Sequence, residues 1–167
     1  MYQLKLSLLV ICLSLATTSV SATKETVGWV EKVRIHPGGI DLKAKIDSGA
    51  RTSSLHCDCA KPVKRNGEEW IVFTVTNHKG DQIRLERRVE KISKVKRHFG
   101  KIQRRYVISL GICLGKTYKE TPVNLVDRSS MNYQLLIGRR FLKDIYIIDP
   151  ALTFVSKPRC KETRPIR

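Results

Sequence analysis

Asp47-Ser48-Gly49-Ala50 is the stretch whose residue types and spacing could support chemistry. It follows an alternating run, Ile40, Leu42, Ala44 and Ile46, which places a carboxylate at the end of a strand with one buried face. A hydroxyl, a glycine and an alanine come next. They suit a tight turn whose backbone N–H groups and hydroxyl face the carboxylate. Short Asp-Ser/Thr-Gly strings also arise by chance, and most serve as turns or helix caps. Two features lift this one above that background. The alternation carries Asp47 into a half-buried position, and Leu135-Leu136-Ile137-Gly138-Arg139 supplies a second apolar strand closed by glycine at a helix start.

Other chemistry finds less support. His56-Cys57-Asp58-Cys59 looks metal-like, but it lacks the usual two-residue spacer and a second His/Cys cluster. The histidines His36, His56, His78 and His98 are scattered, with no H-E-x-x-H pair, and no Gly-rich Lys-Ser/Thr phosphate loop is present. Neither a metal nor a cofactor is expected. Asp41 lacks the Ser-Gly turn, and Asp81, Asp127 and Asp144 lack the preceding strand with that turn.

The elements that must position Asp47 read as strands. One is expected over Val27 to Val33, with Val27, Trp29 and Val33 on one face and Glu31 interrupting the row. Pro37-Gly38-Gly39 turns it into the Ile40–Ile46 run, and Pro62 to Gly67 reads as a loop. Trp70 to Thr76 is β-branched and aromatic, hence a strand, and Asn77 to Asp81 turns it into a partner through Ile83, Leu85, Arg87 and Val89. Tyr106 to Leu114 is another strand, followed by one through Val123 and Leu125 that Pro122 assigns to an edge or a strand start. A short helix is expected over Arg139 to Lys143. A last strand, Ile145 to Ile148, is stopped by Asp149-Pro150. Many short strands and one short helix point to an all-β domain, a small barrel or sandwich.

Residues 1–22 are read as a cleaved signal peptide: Lys5, an apolar stretch from Leu6 to Ala16, then Val20-Ser21-Ala22. A lipoprotein reading would use Cys12, but Ile11 stands where a small residue is expected. The apolar run is too short to span a bilayer, so no transmembrane span is expected in the mature chain, which would be periplasmic or secreted. The domain is expected over residues 23–156, with a basic, mobile tail over 157–167. Cys57, Cys59, Cys113 and Cys160 then remain, an even number that permits disulfides in an exported chain, with connectivity open.

The formal net charge is +17, which speaks about partners: acidic peptides, nucleic acid or an anionic envelope surface. Its densest part runs from Arg84 to Arg105, opposed only by Glu86 and Glu90. This stretch is either a solvated face or a positive rim over a cleft. Nucleic acid is disfavoured, because Phe99 and Tyr106 are the only aromatic residues near it.

Ile46-Asp47-Ser48-Gly49-Ala50, a basic hairpin around Phe99-Gly100, and Leu136-Ile137-Gly138-Arg139 together resemble a retropepsin-like aspartic peptidase. The match is to the bacterial branch formerly labelled ATP-dependent zinc protease, some members of which accompany ATP-grasp glutamate ligases. Ala44-Lys45, Arg51 to His56, Val126-Asp127-Arg128, Met131, Phe141-Leu142 and Ile148-Asp149-Pro150 extend the likeness over roughly Val27 to Phe154. The resemblance implies a small closed or partly open barrel of retropepsin type that works as a homodimer. Asp47 would be the catalytic residue and Ser48, Gly49 and Ala50 the active-site turn. Arg51, Gly138, Arg139, Phe99 and Gly100 would bind substrate, with a flap around Lys96 to Lys101. Viral members carry an acidic residue after this turn, where Arg51 stands here. Arg51 and Arg139 are therefore expected to recognise substrate carboxylates, as in a Glu-rich peptide, unless Arg51 pairs with Asp127, Asp144 or Asp149. The rival expectation is a non-catalytic binding module of the same fold that holds an anionic polymer on its basic face.

Overall fold

The computed structural model describes residues 23–96 and 102–160. Residues 1–22, read above as a signal peptide, residues 97–101 with Phe99 and Gly100, and residues 161–167 lie outside them. Ten strands and one short helix make up the described residues: β1 Glu25–His36, β2 Ile40–Asp47, β3 Ser53–His56, β4 Asp58–Arg65, β5 Glu68–Thr76, β6 Gln82–Lys96, β7 Ile102–Leu114, β8 Thr117–Val126, β9 Leu135–Gly138, α1 Arg139–Leu142 and β10 Tyr146–Thr153. The all-β expectation holds, with the helix directly after Gly138.

Six strands close a ring. Pairing runs β1–β2–β9–β3–β8–β7, and β7 returns to β1 through Val33↔Leu114 to His36↔Gly111. Strands β6, β5 and β4 extend outward from β7, while β10 lies outside β1. The buried side chains of the ring include those that the alternation predicts, Val33, Leu42, Ala44, Ile108, Leu110, Ile112 and Leu114, together with Ile35, Leu55, Leu135 and Ile137. Each fully buried aliphatic side chain contributes on the order of 2 kcal/mol. Among the described residues no helix is long and apolar enough to cross a membrane.

Several local expectations are corrected. Pro62 to Gly67 is not a loop: β4 runs to Arg65 and hairpins into β5 at Asn66-Gly67, where both residues take positive φ. Strand β8 is not an edge, since it lies between β7 and β3. Pro122 is accommodated because pairing with β3 begins only at Val123. Strand β10 does not stop at Asp149-Pro150 but continues to Thr153. The pairing with β1 shifts register between Gly28 and Val30, which leaves room for a residue with no N–H. Residues 53–56 form a strand that the sequence reading missed. The start of the basic tail is fastened: Cys160 is disulfide-bonded to Cys113, and the Arg159 N–H donates to the Gly115 carbonyl (2.7 Å).

The same register shift rearranges β1. Trp29 turns outward and is 39% exposed, whereas Val30 and Glu31 are buried. The Glu31 carboxylate is the acceptor for four donors: the N–H groups of Gly28 (2.7 Å), Val155 (3.3 Å) and Ser156 (3.0 Å), and the Ser156 hydroxyl (3.0 Å). A buried carboxylate is tolerated when its lone pairs are taken up in this way. Glu31 therefore latches the segment after β10 onto β1. Glu31→Ala should lower the unfolding free energy by about 2–4 kcal/mol, because buried donors lose their acceptor. Denaturant titration of the oxidised protein measures this, and an unchanged midpoint would show that the latch contributes nothing.

Candidate active site

The site forms where two parallel strands end side by side. Pairing of β2 with β9 runs from Ala44↔Leu135 to Asp47↔Gly138, so the catalytic candidate stands beside the glycine that opens α1. The turn after Asp47 folds back over that glycine. A Cβ on Gly138 would lie 2.8 Å from the Thr52 carbonyl carbon and 3.0 Å from the Ala50 oxygen, so the approach leaves no room for a side chain. Gly138 thus works through packing.

Asp47 is oriented by its own turn. Its Oδ1 accepts the N–H groups of Gly49 (2.9 Å) and Ala50 (3.2 Å), and the Lys45 Nζ lies 3.9 Å from Oδ2. The side chain keeps 25% exposure, enough to meet a water or a substrate. The turn is then pinned from α1: Arg139 N–H donates to the Ala50 carbonyl (2.8 Å) and Arg140 N–H to the Arg51 carbonyl (3.1 Å). Nη1 of Arg139 donates to the carbonyls of Ser48 (2.7 Å) and Gly49 (2.9 Å). In this chain Arg139 therefore braces the turn through backbone carbonyls, which answers why the acidic partner known from viral members is dispensable. Ser48 and Gly49 are exposed at the tip.

Arg128 is the charged neighbour that the sequence reading named without a role. It is held by the Tyr133 carbonyl (3.0 Å from Nε) and the Ser54 hydroxyl (3.1 Å from Nη1). Burial lowers its pKa from the ordinary guanidinium value, and the charge of Asp47 acts in the opposite direction.

A cleft of about 450 Å³ opens beside the turn, between it and the arms of the β6–β7 hairpin. Five cations line it: Arg51 from the turn, Lys91 and Lys94 from β6, Arg105 from β7 and Arg140 from α1. No acidic side chain is among its lining residues. The two readings of the Arg84–Arg105 stretch are both met, in different halves of β6. Up to Arg88 the strand pairs with β5, and Arg88 forms an ion pair with Glu68 (3.1 Å), as Glu86 does with Arg65. From Val89 onward it pairs with β7 and turns its lysines to the cleft. The carboxylates considered as partners of Arg51 are engaged elsewhere. Asp127 accepts the Ser129 N–H (2.9 Å), Asp144 lies 3.8 Å from Lys143, and Asp149 accepts the Ala151 N–H (2.8 Å).

The structure brings Asp47, Ser48, Gly49, Ala50, Arg51, Gly138 and Arg139 together in space. Lys91, Lys94 and Arg105 were visible only as members of a charged run. Arg140 and Asn124, another lining residue, carried no signal of their own, because the placement of α1 brings the first to the cleft and strand register the second. Among the described residues no group of three His, Cys, Asp or Glu side chains could hold a metal ion.

The close packing at Gly138 makes a direct prediction. Gly138→Ala should cost about 1–3 kcal/mol of stability and speed hydrogen exchange at the Arg139 and Arg140 amides, since the turn must move away from α1. Wild-type exchange at those two amides would overturn this account of the glycine.

Comparison with known proteins places this geometry in a family. The family described as RimB-like, retropepsin-like aspartic endopeptidase RimB, matches residues 26–159. A probable alpha-L-glutamate ligase of Shewanella halifaxensis is 38% identical over 116 residues, which is 68% of this chain and 25% of that protein. One of Desulfotalea psychrophila is 36% identical over 114 residues, 66% of this chain and 25% of that protein. This chain thus spans about a quarter of the length of those relatives. The crystal structure of Lpg0085, a Legionella pneumophila protein of unknown function, superposes with a TM-score of 0.68 at 32% identity, covering 81% of this chain and all of that one. The chain belongs to the RimB-like family of retropepsin-like aspartic endopeptidases.

Proposed function

We propose that this protein is an exported aspartic endopeptidase that hydrolyses acidic, glutamate-rich peptides through Asp47 of two subunits. The observation that carries this reading is a single oriented carboxylate whose turn borders, through Ala50 and Arg51, a cleft lined by five cations. Hydrolysis by this chemistry needs two carboxylates about 3 Å apart sharing one proton, because like charges so close cannot both ionise. One activates water as general base while the other polarises the scissile carbonyl as an acid. Asp47 is the one aspartate of this chain that combines the strand with the Ser-Gly turn, so a two-fold symmetric dimer would supply the second. Ser48, exposed at the tip, would link the two turns through its hydroxyl.

Arg51, Lys91, Lys94, Arg105 and Arg140 would receive substrate carboxylates, the arginines through paired N–H donors and the lysines as point charges. The relatives named as probable glutamate ligases make a glutamate-bearing peptide a fitting substrate class. The segment from Leu6 to Ala22 supports export. The same cation-lined cleft also suits a second reading, a module that holds an anionic polymer without cleaving it.

A peptide-library cleavage assay across pH, run on wild type and Asp47→Asn, separates the two. Endopeptidase action predicts that Asp47→Asn loses about 10²–10⁴-fold or more of the activity while keeping the wild-type fold and association state. Glu-rich peptides should be cleaved faster than neutral ones, with an advantage that shrinks as salt is added. Glu-rich peptide bound by both proteins and cleaved by neither would favour the binding module.

A further inference from the structure

The cleft floor holds one feature that the five cations do not explain. Asn124 on β8 is 8% exposed, lines the cleft, and sits in β8 directly between Val107 of β7 and Ser54 of β3. Its Nδ2 donates to the Ser53 carbonyl (3.3 Å), and its Oδ1 accepts the Ser93 hydroxyl (2.9 Å). A carbonyl can only accept, so the Ser53 contact fixes which way the amide faces. Oδ1 must then look toward Ser93, and the Ser93 hydroxyl must donate.

Ser53, 1% exposed, passes the contact on: its hydroxyl accepts the Gly138 N–H (3.1 Å). Gly138 pairs with Asp47, and the next residue holds the Ala50 carbonyl. The result is one hydrogen-bonded chain, Ser93–Asn124–Ser53–Gly138, running from an arm of the β6–β7 hairpin to the frame of the Asp47 turn. It crosses β6, β8, β3 and β9, elements that are not neighbours in sequence.

The geometry points to Asn124 as a positioning residue that couples the β6–β7 hairpin arm to the Asp47 turn, so that engagement of the cleft is transmitted to the catalytic carboxylate. Ser93 is the hairpin end of the relay and Gly138 the active-site end. Its value for catalysis rests on the reading of Asp47 as catalytic; the mechanical coupling does not.

The test uses amide hydrogen exchange on the full chain, with no substrate required. Ser93→Ala should raise exchange at Gly138 and Gly49 several-fold, although Ser93 touches neither, while Ser93→Thr, which keeps the hydroxyl, should leave both at wild-type rates. Asn124→Asp keeps the shape and the acceptor for Ser93 but sets an oxygen against the Ser53 carbonyl, and should produce the same effect. Unchanged exchange at Gly138 and Gly49 in Ser93→Ala and Asn124→Asp overturns the relay. Kinetics then separate it from the functional reading. In a wild type that cleaves peptides through Asp47, Ser93→Ala should lower kcat about tenfold with KM little changed, and Ser93→Thr should restore kcat. A change in KM alone would reduce Asn124 and Ser93 to ordinary cleft lining. Coupled exchange in a protein that cleaves nothing would keep the relay and remove the peptidase.

Discussion

The parallel pairing of β2 with β9 is the constraint on which the site depends. It sets the last residue of one strand, Asp47, against the last residue of the other, Gly138. Two unlike chain segments leave this point together: a tight turn from β2 and a helix start from β9. The first N–H groups of a helix have no partner within it, and here two of them find the carbonyls of Ala50 and Arg51. The carboxylate is thus oriented by its own turn, the turn by α1, and α1 by β9. Only a residue without a Cβ lets the segments come this close, so the glycine is part of the frame of the site.

Parallel strands cannot be joined by a hairpin, which is why β2 and β9 lie far apart in sequence and the ring between them has to be complete. Strand β1 holds that ring shut. It pairs with three strands, β2, β7 and β10, and its contact with β7 closes the circuit. Glu31 sits on this strand and fixes the chain that leaves β10, while the Cys113–Cys160 disulfide fastens the same chain a few residues later. The two attachments secure the outermost strand to the closed ring, leaving the open end of the molecule to the Asp47 turn and the β6–β7 hairpin.

Much of this was legible because it is written locally. The alternation before Asp47, the apolar run before Gly138, the hairpin at Asn77 to Asp81 and the helix after Gly138 each declare themselves within about ten residues. The missed features are those decided by partners distant in the chain. Strand β3 is four residues long and is recruited by β8 and β9, so its own sequence carries little strand signal. Trp29 was misassigned because an irregularity in the pairing with β10 turns it outward, while Val27, Glu31 and Val33 keep the buried row of the alternation, and no periodicity within β1 reveals an irregularity imposed from outside. Pro62, Pro122 and Pro150 each read as breakers, yet each lies within a strand, and Pro122 and Pro150 fall where pairing on one side is absent or displaced. Arg139 was recognised as a site residue, but its hydrogen bonds to backbone carbonyls follow from a turn conformation that composition does not encode.

The distribution of charge separates structure from function. On the outer half of β6 the arginines and glutamates compensate one another, Arg88 with Glu68 and Glu86 with Arg65. On the inner half that rule is broken. Lys94 stands directly across from Arg104 in the β6–β7 hairpin, with Lys91 and Arg105 close by, and like charges directly opposite on a sheet are destabilising. Sequences that fold well keep local preferences in agreement, and they depart from them where a site requires it. Like charges facing one another across this hairpin, beside a cleft with no carboxylate among its lining residues, are what the acidic substrate proposed above would complement. Carboxylates bound there would reduce the repulsion between the arms. Screening by salt would relieve the same repulsion, and it would weaken attraction to an acidic chain at the same time.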